Sequence, residues 1–97
     1  VQVRVLSISE KFADYARDVY SRLRENGIRA DCDIRGEKIG YKIREAENLK
    51  INYMIIVGEK ELNQKSVNVR AHGKRNIGEK TLQDFTAELQ QEIKDKR

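Results

Sequence analysis

The 97-residue sequence contains no proline, one cysteine, one histidine, one methionine and no long apolar run. Without proline, no turn is fixed by a pyrrolidine ring. Cys32 has no partner for an internal disulfide, which fits a reducing compartment. No segment has the apolar length of a signal-peptide core or a membrane span. A single cysteine and a single histidine, His72, give no nucleophile–base pairing to build catalysis on. Neither residue has companions at metal-ligand spacing. The six glycines match neither the phosphate-loop pattern nor the dinucleotide fingerprint. Catalytic residues and metal ligands are therefore expected to be absent.

Charge is what the sequence has in quantity. Charged residues make up 37% of the chain, with 20 Lys and Arg against 16 Asp and Glu, a formal charge of +4. A basic balance suits a polyanionic partner, because Lys and Arg displace counterions from phosphates. Hydrophobic residues are 38%, so the core must come from a few well-placed stripes. The length argues for one domain spanning residues 1–97. Val1 at the start and Met54 as the only methionine suggest a piece of a longer protein.

Periodicity organises the chain. Val1, Val3 and Val5 alternate with Gln2 and Arg4, a strand pattern. Phe12, Tyr15, Ala16, Val19 and Leu23 fall at helical spacing. Ser7 and Glu10 have capping-box spacing and Ser9 is an equally good N-cap; with Gly27 as stop, the spacing predicts a helix over residues 9–26. Ile28, Ala30, Cys32 and Ile34 alternate with charged neighbours as a second strand. From Glu37 the period changes: Ile39, Ile43 and Ala46 form one helical face, with Lys38, Lys42 and Arg44 turned elsewhere. The run Tyr53, Met54, Ile55, Ile56, Val57 reads as a central strand covered on both faces. A short turn at Asn63, Gln64 and Lys65 predicts a hairpin to an antiparallel strand through Val67, Val69 and Ala71. Gly73 and Gly78 bracket a basic loop with Lys74 and Arg75. Leu82, Phe85, Leu89 and Ile93, with Thr81 as N-cap, mark the last helix. Alternating strands and helices favour a mostly parallel sheet with helices on both faces.

Two constellations bear on binding. Asp33, Ile34, Arg35, Gly36, Glu37 and Lys38 join a strand to a helix at the strand's carboxyl end, where open α/β sheets bind ligands. Free N–H groups at a helix start favour an anion, and Arg35 and Lys38 add positive charge. Asp31 and Asp33 share a strand face and are read as solvated or paired with Arg29 and Arg35. Tyr41 beside Lys42 can stack on a base or pack on its own sheet.

The series EKIGYKIREA over residues 37–46, YMIIVGEKE over 53–61 and VNVR over 67–70 closely resembles the C-terminal anticodon-binding domain of threonyl-tRNA synthetases. The resemblance covers nearly the whole chain. It implies a three-layer α/β/α fold with a five-stranded mixed sheet and three helices. It also implies binding of the anticodon stem-loop of threonine tRNA. Glu61 and Arg70 match the family's positions for base recognition, with Gly36, Lys38 and Arg35 in the anticodon-binding loop. The family carries asparagine where Gly36 stands, so that side-chain contact is missing or comes from another group. Arg70 offers a planar fork of donors suited to a guanine edge, and Glu61 can accept from base amino groups. Lys42 and Lys74 are candidate contacts to RNA phosphates. No cofactor is implied within these residues. ATP and zinc belong with a parent catalytic domain, in a cytoplasmic enzyme expected to be a homodimer with no membrane partner. The competing readings are a synthetase-derived protein-interaction or regulatory domain without tRNA, and a small flavodoxin-like enzyme.

Overall fold

Alternating valines become strand β1 (Val3–Ser7) in the computed structural model, which describes residues 2–73 and 75–95. Its odd positions, Val3 and Val5, and its even position Leu6 are all fully buried on opposite faces, so β1 is an interior strand. It lies between β2 (Ala30–Asp33) and β3 (Tyr53–Val57), parallel to both, with Val5 opposite Cys32 and Ile55. β4 (Ser66–Ala71) runs antiparallel to β3, and β5 (Arg75–Thr81) antiparallel to β4, giving the order β2-β1-β3-β4-β5. The expected five-stranded mixed sheet is present.

Helices close both faces. α1 (Ala13–Glu25) and α4 (Leu82–Asp95) cover the face that carries Val3, Val5, Ile55, Val57, Val67 and Val69. Ala16, Val19 and Leu23 of α1 and Phe85 and Leu89 of α4 complete this core. Burying each of the larger side chains contributes roughly 1.5–3 kcal/mol. Two tyrosines pin the helices in place. Tyr15 Oη donates to the Ser66 carbonyl at 2.7 Å, and Tyr53 Oη donates to Glu92 Oε2 at 2.7 Å while its ring meets Phe85 edge-on. α2 (Ile39–Asn48) lies on the opposite face over a smaller core of Leu6, Ala46, Ile51 and Met54, with Ile39, Ile43 and Ile56 half-buried around it. Ile55 and Ile56 thus point to opposite faces, as the continuous apolar run requires.

Three local expectations are corrected. Residues 10–12 form a 3-10 turn before α1, and Ser9 makes no capping hydrogen bond, so the first helix begins later than its apolar spacing suggests. The hairpin turn at Asn63, Gln64 and Lys65 is instead the end of a short helix, α3 (Glu59–Gln64), which raises the helix count from three to four. Glu61 nucleates it by accepting the Gly58 N–H at 2.8 Å, half of a capping box. Lys65 then leaves in a left-handed conformation, φ 54°. The region bracketed by Gly73 and Gly78 is mostly strand rather than loop. Gly78, at φ 103°, sits opposite Val69 beside a bulge in the β4–β5 pairing, a conformation that favours glycine. Thr81 does cap α4, with its Oγ1 accepting the Asp84 N–H at 3.1 Å. Among the described residues, no helix is long and apolar enough to cross a membrane.

Candidate nucleic-acid interface

Adjacent parallel strands leave the sheet at the same edge, so their exit loops face each other. β1 exits through Ile8, Ser9, Glu10 and Lys11, and β2 exits toward Gly36, Glu37 and Lys38. These seven residues line one open groove of about 550 Å³. Lys11 and Lys38 are exposed in it, and the start of α2 opens into it without a side-chain cap. Ile8 lies 43% exposed, an apolar surface beside the cations. A Cβ at Gly36 would fall 2.5 Å from Glu10 Oε1, so the bare backbone of Gly36 lets that carboxylate in. At the neighbouring exit, Gly58 packs so closely on Ile8 that a Cβ there would collide with Ile8 Cδ1. Glu61 is 6% exposed and holds this turn through the Gly58 N–H.

The β4–β5 half of the α2 face is polar, with Lys60 of α3 reaching Glu79 at its border. Register places Asn68 and Arg70 of β4 on the same side as Met54 and Ile56, with Glu79 and Asn76 of β5 beside them. Among the described residues, the small core on this side takes no member from β4 or β5. Asn68 and Arg70 are half-buried, while Asn76, Ile77 and Glu79 are exposed. Arg70 Nε is buried and has no hydrogen-bond partner among the described residues. A guanidinium N–H without an acceptor is costly.

The candidates from the sequence thus separate. Gly36 and Lys38 share the groove, and Glu61 stands behind its Ile8 wall. Arg70 enters the sheet three residues below Val57, about 10 Å along β3. Arg35 is committed elsewhere: Nε and Nη2 donate to Asp33 at 2.9 and 2.8 Å, and Nη2 also donates to Glu45 Oε1 at 2.7 Å. Its guanidinium lies 5.9 Å from the centre of the Tyr41 ring. Asp31 pairs with Arg4 rather than Arg29. Lys42 is corrected outright. It is fully buried, with Nζ donating to the Ser7 carbonyl at 2.9 Å, so it offers no charge to a phosphate at the surface. Lys74 lies outside the described residues.

Sequence reasoning missed the β1 wall of the groove and the polar pair Asn68 and Asn76. Two signals were there to find them. A parallel β1–β2 pair makes the loop after β1 a neighbour of the loop after β2, and Asn68 stands in period-two step with Arg70. Among the described residues, no cluster of three or more His, Cys, Asp or Glu could hold a metal ion.

Comparison with known proteins bears on this surface. The family model described as an anticodon binding domain matches residues 2–92. The threonine–tRNA ligase of Clostridium kluyveri is 50% identical over 93 residues, 96% of this chain. That of Geobacillus kaustophilus is 47% identical over 98 residues. The chain spans about 15% of the length of these relatives. Among solved structures, the RNA binding domain of threonyl-tRNA synthetase from Cryptosporidium parvum Iowa II superposes with a TM-score of 0.86 at 35% identity, over 93% of this chain and 23% of that one. Histidyl-tRNA synthetase from Nostoc sp. PCC 7120 has the same fold, with a TM-score of 0.86 at 18% identity over 96% of this chain and 22% of that one.

Proposed function

The chain belongs to the anticodon binding domain family, and from that premise we propose that it holds the anticodon stem-loop of a threonine tRNA as one part of a threonine–tRNA ligase. The observation that carries this reading is Arg70, whose buried Nε–H lacks an acceptor among the described residues, on a polar half-face that contributes no described residue to the small core. Unstacked anticodon bases supply such acceptors on their edges, and a guanine takes the Arg fork at O6 and N7. Lys38 and Lys11 contact the phosphates that flank the loop. Gly36 leaves room for the backbone, and Glu10 stands where a longer side chain would have projected. Glu61 contributes to base recognition by fixing the Gly58 turn behind the groove. Arg35 serves the same loop through Asp33 and Glu45.

The domain does no chemistry. ATP and zinc act in the parent's catalytic part, which charges the tRNA with threonine in the cytoplasm as a homodimer. The test titrates the chain with two synthetic RNA hairpins, one with a threonine anticodon and one with its middle base changed. The threonine hairpin should bind more tightly, and its affinity should fall about tenfold or more between 50 and 200 mM salt. Absence of binding to either hairpin would leave a synthetase-derived interaction module as the better reading.

A further inference from the structure

Lys42 is the largest fully buried side chain among the described residues, and nothing in the proposed recognition uses it. Its Nζ donates to the Ser7 carbonyl at 2.9 Å, to Ser7 Oγ at 3.3 Å and to the Asp33 carbonyl at 3.4 Å. Ser7 is the last residue of β1 and Asp33 the last of β2. Ser7 is followed directly by one wall of the groove, residues 8–11, and Asp33 leads through Ile34 and Arg35 to the other wall, residues 36–38. One ammonium therefore bridges the two exits at the point where they diverge.

We propose that Lys42 is a positioning residue of the RNA groove: its buried ammonium ties the ends of β1 and β2 together and so sets the spacing of the two loops that hold the phosphates. The groove's role as an RNA site rests on the function proposed above, while the tie itself does not. Three observations carry the inference. Burying an ammonium is expensive, and an apolar side chain of similar volume is often neutral or better for stability, so stability alone does not explain a lysine here. Burial pulls the Lys42 pKa down, and the facing Asp33 carboxylate, itself held by Arg35, offsets part of that cost. Its acceptors come from two separate strands, 35 and 9 residues away, and both are the final residues of those strands.

The experiment compares wild type with Lys42→Met, Ser7→Ala and Leu89→Ala, the last a core truncation on the far face of the sheet. Each folded protein is titrated with the threonine-anticodon hairpin at several salt concentrations, and amide exchange is followed without RNA. Lys42→Met should lose at least about tenfold in affinity with the salt slope unchanged, because no phosphate contact is removed. Its exchange should quicken in residues 8–11 and 34–38 and not in β4 or β5. Leu89→Ala should bind as wild type wherever it is folded. Should Lys42→Met fail to fold, Ser7→Ala carries the same signature at smaller amplitude, a loss of about twofold to fivefold. Wild-type affinity in Lys42→Met overturns the proposal, or in Ser7→Ala where that variant stands in for it. So does a salt slope reduced by about one, which would make Lys42 a phosphate contact, or an equal loss in Leu89→Ala. If the wild type binds no hairpin, the function proposed above fails, and the exchange pattern of the two loops alone decides whether Lys42 is the tie.

Discussion

The two faces of the sheet are built to different ends. The face under α1 and α4 buries apolar residues from β1, β3 and β4 alike, and the two tyrosines Tyr15 and Tyr53 bolt the helices to it. Among the described residues, the face under α2 buries apolar strand residues only from β1 and β3, and its β4–β5 half carries Asn68, Arg70, Asn76 and Glu79. A domain of this size can afford one sealed face and half of another, because the first supplies most of the apolar burial. What the polar half lacks in core it keeps in hydrogen-bonding groups, including one arginine N–H that has no acceptor among the described residues. Apolar burial and polar groups are thereby divided between the two sides of β3 and β4.

Truncation tests that division most sharply. Ile55→Ala, on the sealed face, should cost about 2–5 kcal/mol in denaturant unfolding. Ile56→Ala, its half-buried neighbour on the other face, should cost less than about 2 kcal/mol. Equal losses would mean that both faces carry the fold. The reverse asymmetry should appear in binding. Arg70→Ala should weaken the threonine hairpin by about 1–3 kcal/mol and a hairpin with a changed middle base by much less, while leaving unfolding nearly unchanged. Equal losses on the two RNAs would reduce Arg70 to a backbone contact.

Acid should loosen the β2 side of the molecule before the rest. Arg35 holds the Asp33 carboxylate below its ordinary value of 3.8, chiefly by side-chain hydrogen bonds. A carboxylate depressed in the folded state contributes stability that is present above its unfolded value and lost as pH falls through the folded one. Unfolding measured from pH 5 downward should therefore show a decline below about pH 3.8 that Asp33→Asn reduces. An unchanged acid limb in the variant would show that the pair contributes nothing. The smallest effect concerns Cys32 on the same strand. Burial pushes its thiol up to about 11 from an ordinary 9.0, so at pH 8 it carries about a hundredfold less thiolate than a free cysteine. Alkylation of the folded chain should be correspondingly slow and should become ordinary in denaturant.

Most of the sheet and the helices α1, α2 and α4 are legible as periodicity, because each buries a continuous stripe. Three features were not, for separate reasons. α3 has six residues, too few to display a helical period, and its start depends on Glu61 folding back on Gly58. β5 is an edge strand whose Gly78 bulge breaks the alternation that a strand otherwise announces. Lys42 stands on α2 at a position whose residue type reads as solvent-facing. Its acceptors are set by the stacking of β1 against β2 and are invisible along the chain. The site was legible in part. The βα position of Gly36 and Lys38 pointed to a groove, but the opposing wall of Ile8, Glu10 and Lys11 follows only from the strand order. The half-open face could not be read from β4 alone, since a polar alternate position looks the same whether water or RNA lies beyond it.

The measurement that bears most directly on the two-faced account is a residue-by-residue map of amide shifts in the labelled chain as the threonine-anticodon hairpin is added. Shifts are expected at Asn68, Arg70, Asn76 and Glu79 and in residues 8–11 and 36–38, with the solvent sides of α1 and α4 silent. Shifts centred on α1 and α4, with β4 and β5 unmoved, would contradict it.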